Sequence, residues 1–401
     1  MSSHNLLHTS VNRRRFLQTA AAASLVTFAP FNILRSQSAS APKPSNTPVK
    51  IGYLPITDAA PLLIAHANKL YEAEGLTAEQ PVLFRSWAQI VEAFVAGQVN
   101  VVHLLSPMTI SLRYGRNFPA KVIAWNHTNG SALTIRPEFN GLQDLAGQTV
   151  AVPFWYSIHN VVLQDLLRKQ GLKLNLKADG PVASDEVKLV ILPPSDMISA
   201  LANKSIGGFI VAEPFNAAAE AKKIGKIARF TGDVWEDHAC CVVLVREDAI
   251  VENREWVQRV TNAVVKAQQW SNANRPEVAR ILSKESGLNY TPHPQAVVDR
   301  VLTDRNVDAY VKAGAIQHPD WKEPRIGFQP YPYPSYTEEL VRRVQGTQVL
   351  GDRAFLDKLV PSFAAGDLVD DSFVKTALRE IGGPSAFNLP DTLTRTERIV
   401  L

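Results

Sequence analysis

Cysteine is almost absent from the 401-residue chain: Cys240 and Cys241 are its only two, and they are adjacent. A framework of structural disulfides is therefore excluded, and two thiols alone do not make a Cys-based zinc site. Neighbouring residues on an extended strand point to opposite faces, so the pair reads as buried core beside a strand. Excess charge is missing too. The formal net charge is +4, but Arg13, Arg14, Arg15 and Arg35 lie ahead of Ala41 with no acidic residue among them, and without those four, 38 basic residues face 38 acidic ones. A neutral body with no basic stripe excludes nucleic acid and anionic membranes as partners. No stretch reaches the roughly 18 uninterrupted apolar residues of a spanning helix. Nor is there a nucleophile–base motif, a phosphate loop or an HExxH pattern, so nothing in the sequence points to catalysis.

What is present begins with a leader. Asn12-Arg13-Arg14-Arg15-Phe16-Leu17-Gln18 resembles a twin-arginine export signal, with a mild apolar run from Thr19 to Leu34 and small residues from Ser36 to Ala41 behind it. No cysteine lies nearby to carry a lipid. Residues 1–41 therefore read as a signal peptide. The mature protein is expected to be soluble, not lipid-anchored, and placed in the periplasm or another extracytoplasmic space. A Pro/Ser-rich tether follows, and 46% apolar against 20% charged residues is an ordinary globular mix in a chain long enough for two domains.

The most informative stretch is Val187 to Asn216. Val187 to Leu192 is apolar enough for a strand buried on both faces, and Pro193-Pro194 stops it. Ser195 reads as the N-cap of a helix over Asp196 to Asn203, and Phe209 to Val211 as the next parallel strand. Glu213 falls just past that strand's carboxyl end, with Pro214 at a first helical position. Ligands collect at such strand ends, so Glu213, Phe215 and Asn216 are site candidates by position. Gly147 to Val152 with the helix Ile158 to Lys169 completes a β-α-β-α-β unit. Val49 to Leu54, Val82 to Phe84 and Val99 to Leu105, with helices between, form another about a hundred residues earlier. Two such units imply two α/β lobes with parallel sheets and a ligand cleft between them. Ile123 to Arg136 and Cys240 to Val245 read as the two connecting strands. The expected division is lobe 1 over 48–132, lobe 2 over 133–237, a return to lobe 1 over 238–330, and a C-terminal helical extension over 331–401.

Several motifs along this frame resemble a known family. They are GYLPITDAAPLLIA at Gly52 to Ala65, SWAQI at Ser86 to Ile90, HLLSPM at His103 to Met108, HTNGSA at His127 to Ala132, LPPSDM at Leu192 to Met197, AEPFN at Ala212 to Asn216 and DVWEDH at Asp233 to His238. Together they resemble a type II periplasmic solute-binding protein of the nitrate/sulfonate/bicarbonate group that serves ABC importers. The resemblance covers about Val49 to Asn272. It implies an α/β clamshell of two lobes joined by two connecting strands, a monomer that is not an enzyme, a small-molecule ligand, and a membrane permease as partner. It also implies that Trp87, Ser131, His159 and Glu213 line the pocket. The chain departs from the nitrate and bicarbonate branch at Ser131, where a glutamine is usual, and at Trp155-Tyr156-Ser157, where a Gly-rich turn is usual.

Each candidate has a plainer reading. Trp87 opens a helix whose amides face the cleft, so it stacks on a ligand or fills the core. His159 donates to an oxyanion or to a backbone carbonyl. Glu213 meets a ligand, a metal or a salt bridge, since buried carboxylates are seldom unpaired. Trp155 and Tyr156 form a stacking wall or a lobe surface, and Thr57 and Asp58 read best as a helix cap. The leading function is delivery of a small anion, and calcium would balance an anion beside Glu213. Otherwise no cofactor is expected. A thiamine-type pyrimidine or other small aromatic ligand is the alternative within the fold, and a pyrimidine-synthesising enzyme is the alternative of another class.

Overall fold

The computed structural model describes residues 47–177, 180–303, 306–318, 321 and 325–401. The leader read over 1–41 lies outside the described residues. The strands are β1 (Ile51–Tyr53), β2 (Val82–Leu83), β3 (Val101–Leu105), β4 (Ala120–Trp125), β5 (Thr128–Asn129), β6 (Ser131–Ile135), β7 (Thr149–Val152), β8 (Lys173–Asn175), β9 (Glu186–Ile191), β10 (Gly208–Ala212), β11 (Lys226–Phe230), β12 (Cys241–Arg246) and β13 (Ile326–Gly327).

Two main sheets result, ordered β2-β1-β3-β12-β4 and β11-β6-β10-β7-β9-β8, and β13 pairs with β5. The sequence repeat is visible in both. β1 is flanked in parallel by β2 and β3, as β7 is by β9 and β10. Beside each third strand lies an antiparallel one, β12 in the first sheet and β6 in the second. β12 enters its sheet only after the whole of the second has been built, so lobe 1 is discontinuous in sequence. The chain passes between sheets at 126–130 and again at 231–240. Central strands β3 and β10 are buried at every position, in β3 with His103 included.

The first crossing turns on Asn129 and Gly130, whose φ angles of 59° and 79° are left-handed. A side chain at Gly130 would meet His127 and Ile326 at 3.2 and 3.1 Å, so glycine suits this turn on two counts. Local capping follows the sequence in part. Ser86 accepts the Gln89 amide at 3.3 Å, and Ser157 accepts that of Asn160 at 3.1 Å. Ser195 is not a cap: its helix begins at Pro194, and the Ser195 hydroxyl bonds the Asp196 carboxylate instead. Pro214 precedes its helix, Phe215–Ala221, instead of opening it.

The long helix Arg254–Ala273 returns to lobe 1 and packs on Ala60–Ala67 and on Ser372–Glu380. The extension after residue 330 is docked on Trp125 of β4, whose ring meets Tyr333 and Tyr336 edge-on at 5.6 and 4.9 Å. It also reaches both lobes. Tyr336 bonds Ser106 of lobe 1 at 2.9 Å, while Gln348 exchanges two hydrogen bonds with Gln164 of lobe 2 at 2.7 and 2.8 Å. Tyr156 donates to the Asp352 carbonyl at 3.2 Å. No helix among the described residues is long and apolar enough to cross a membrane.

Candidate functional site

The two lobes meet where the carboxyl ends of β1 and β10 face each other. Thr57, just after β1, donates its amide and its hydroxyl to the Glu213 carbonyl, at 2.9 and 3.0 Å. Around this seam the fold gathers Asp58, His103, His127, Ser131, His159, His238, Cys240 and Cys241, all of them buried. Asp58 lies in the turn after β1, His127 in the first crossing, His159 in the first turn of the helix Ile158–Lys169, and the cysteines at the entry to β12.

Asp58 Oδ2 is 2.8 Å from His127 Nε2 and 3.5 Å from Cys241 Sγ. His159 Nε2 is 2.8 Å from the Ser131 hydroxyl, and both lie 3.8 Å from Cys240 Sγ. Burial raises the Asp58 carboxyl to about 6 against the pull of His127. Burial works against charge on His127 as well, but the Asp58 carboxylate outweighs it and lifts the imidazole to about 10. His103 accepts the Leu54 amide at 2.9 Å, and burial together with His127 lowers it to about 3. Burial likewise lowers His238, which bonds the Trp235 carbonyl at 2.8 Å, to about 4. These two imidazoles are neutral at ordinary pH.

The residues predicted for the site are placed unequally. Trp87 is buried beside His103, ring centroids 5.5 Å apart, and its indole N–H has no partner among the described residues. Ser131 and His159 stand together as described, and His159 Nδ1 is also without a partner. Trp155 and Tyr156 of lobe 2 line a groove of about 170 Å³ with Ala88 and Met108 of lobe 1 and with Asp352. A wider groove of about 570 Å³ is bounded by Pro55, Ile56 and Arg85 of lobe 1 and by Pro194, Ser195 and Phe215 of lobe 2.

Glu213 takes the salt-bridge reading. Its Oε1 pairs with Arg325 at 3.0 Å, and its Oε2 accepts the Ala217 amide at 3.0 Å, so it caps the helix that follows. Both oxygens are occupied, and Glu213 stands outside the group of metal-capable donors. That group also lacks the six or more oxygens that calcium takes.

The reading of the cysteines is corrected in one respect. They are buried, but strand geometry begins only at Cys241, and both thiols reach the same cluster instead of opposite faces. Asp58 and His127 were not chosen from sequence as ligands. Asp58 resembled a cap, and His127 was only part of the HTNGSA motif.

Two α/β lobes of matching topology, joined by two crossings and enclosing a buried polar seam, define a periplasmic-binding-protein fold. The chain belongs to the NMT1-like family, whose model matches residues 42–283. It is 28% identical over 323 residues to the nitrate/nitrite binding protein NrtA of Nostoc sp., covering 70% of this chain and 72% of that one. It is 25% identical over 389 residues to the bicarbonate-binding protein CmpA of Synechococcus elongatus, covering 86% and 81%. Among solved structures, the periplasmic nitrate-binding protein NrtA from Synechocystis superposes with a TM-score of 0.71 at 20% identity, over 88% of this chain and 93% of that one. The alkanesulfonate-binding protein SsuA from Xanthomonas axonopodis has a TM-score of 0.55 at 16% identity, covering 84% and 98%. The relatives named here are binding proteins, and the alternatives of a pyrimidine binder or a biosynthetic enzyme gain no support from them.

Proposed function

We propose that this chain is the extracytoplasmic substrate-binding subunit of an ABC importer, taking a small anion of the nitrate, bicarbonate or sulfonate class between its lobes and presenting it to a membrane permease. The observation that carries this reading is the pair of uncommitted nitrogens at the seam, Trp87 Nε1 and His159 Nδ1, both buried and without a protein partner among the described residues. A buried donor of this kind is nearly always satisfied, and a ligand oxygen is the natural acceptor. Ser131 adds a hydroxyl beside His159. The likeness to named nitrate- and bicarbonate-binding relatives supports the same class of ligand.

Thermal melts with nitrate, bicarbonate and short alkanesulfonates test it. The ligand at a hundredfold excess over its Kd stabilises the folded chain by about 2.7 kcal/mol. Trp87→Phe keeps the ring and removes the N–H. Because a hydrogen bond to a charged group contributes about 1.5–3 kcal/mol, affinity is expected to fall by about tenfold or more. If no small anion moves the melting temperature, or if Trp87→Phe binds as well as the wild type, the reading fails.

Export by the twin-arginine route is part of the same proposal and rests on Arg13-Arg14 ahead of the apolar run. Changing both to lysine preserves the charge and is expected to leave precursor in the cytoplasm. Unchanged export of that double variant, read by fractionation, would exclude the route.

A further inference from the structure

We propose that Asp58, His127, Cys240 and Cys241 form a binding site for one soft divalent metal ion of the zinc class, at the seam between the lobes. Their donor atoms all lie within 4.8 Å of one another, and all four residues are buried. They come from three distant places in the chain: the turn after β1, the first crossing and the entry to β12. The two crossings and lobe 1 must all be folded before the four donors meet.

The donor chemistry selects the ion. Two thiols, one imidazole and one carboxylate make a borderline-soft set of four, which suits a tetrahedral ion such as Zn²⁺. Calcium and magnesium require oxygen, and the set supplies one carboxylate. No pair of donor atoms is more than 4.8 Å apart, so the set reaches tetrahedral spacing by shifts of up to about 1 Å. Ligand atoms about 2.0–2.3 Å from a common zinc stand roughly 3.3–3.8 Å apart in a tetrahedron. Cys241 Sγ and Asp58 Oδ2 are 3.5 Å apart and already satisfy this. Asp58 Oδ2 and His127 Nε2, at 2.8 Å, would separate by about half an ångström to admit the ion.

Without an ion, the polar demands at this spot conflict. His127 Nε2 faces the Asp58 carboxylate at 2.8 Å and the amide of Cys241 at 3.2 Å. The amide requires a lone pair on that nitrogen, whereas the carboxylate requires a proton. One ring nitrogen serves only one of them. Asp58 Oδ1 and His127 Nδ1 are buried with no partner among the described residues. A cation shared by Nε2 and Oδ2 replaces the contested proton and leaves the spare carboxylate oxygen free to bind it, while the Cys241 amide must turn to another acceptor.

A supporting layer of hydrogen bonds is also in place. Asn126 donates to the Asp58 backbone carbonyl, and the Ser131 hydroxyl, 3.8 Å from Cys240 Sγ, is a donor to a thiolate there. Outer groups of this kind orient metal ligands and tune their basicity. The inference holds whether or not the cleft carries an anion. If it does, a cation at the seam would face that anion close to Ser131 and His159.

The test uses the full chain, purified under reductant, stripped with chelator and titrated with Co²⁺ as a spectroscopic probe. The expected result is saturation at one Co²⁺ per chain, with a thiolate-to-cobalt charge-transfer band and the intense visible bands of a tetrahedral site, all abolished by Zn²⁺. The double variant Cys240→Ser with Cys241→Ser should lose the charge-transfer band. Asp58→Asn should keep the band and weaken affinity about tenfold or more. In the wild type, one equivalent of Zn²⁺ should raise the melting temperature, and chelator should reverse the rise, which needs no variant to fold. The proposal is overturned by non-saturable binding, by a band that survives in the double cysteine variant, by a melting temperature indifferent to Zn²⁺, or by a Cys240–Cys241 disulfide that reductant does not open.

Discussion

Replacing Arg325 with methionine is expected to destabilise the protein by about 3–5 kcal/mol, read as a fall in the urea midpoint at unchanged slope. The guanidinium is 5% exposed and holds two carboxylates, Glu213 at 3.0 Å and Glu220 at 2.8 Å. It also lies over the rings of Phe230 and Tyr310, at 5.2 and 4.9 Å. Methionine retains some of that packing and none of the charge. Glu213 has no exposed surface, and its carboxyl is already pushed upward by burial while Arg325 pulls it down. Without the arginine it must stay ionised in a dry site or take up a proton, and either route costs folding energy. Adding Glu213→Gln removes the stranded charge, so the double variant should be more stable than Arg325→Met alone. A double-mutant cycle measures that coupling. A loss below about 1 kcal/mol would place this pair with solvent-screened surface bridges and refute the argument.

Trp125→Ala should have an effect of similar size, about 3–5 kcal/mol, because a large buried ring is lost and the space does not fully collapse. Trp125 is 1% exposed on β4 and anchors the extension through Tyr333, Tyr336 and the Arg395 guanidinium, which lies 4.9 Å from the ring centre. The loss should be local in character. Limited proteolysis is expected to cut faster within 331–401 than in either sheet, since the rings that fasten this segment no longer have a surface to meet. A variant with wild-type cleavage and an unshifted midpoint would show that the extension is held elsewhere.

The parts of this molecule legible in the sequence were those encoded within about thirty residues. Val99 to Leu105 and Phe209 to Val211 read as strands and are central and buried, whereas Val187 to Leu192, read as buried on both faces, lies next to the edge strand β8 and alternates, with Ile191 exposed. The repeated strand–helix pattern implied the two lobes. What stayed hidden depended on residues far apart in the chain. Glu213 looked ligand-facing because its strand end was readable, whereas its partner Arg325 stands 112 residues later. Cys240 and Cys241 looked like inert core because Asp58 and His127 approach Cys241 from 183 and 114 residues away. Spacing rules detect metal ligands when they share a helix or loop, and these do not.

The extension bears on how often the cleft opens. It is bonded to Ser106 on one side of the seam and to Gln164 and Tyr156 on the other, so rotating one sheet away from the other must break one set of these bonds. Each such bond at about 1 kcal/mol lowers the parted population roughly fivefold. A solute arriving from outside then meets a receptor that is mostly shut, and its apparent affinity is reduced by the rarity of the receptive form. The same bolt slows departure once the solute is inside. Entry and departure alike then wait on the opening that this segment resists.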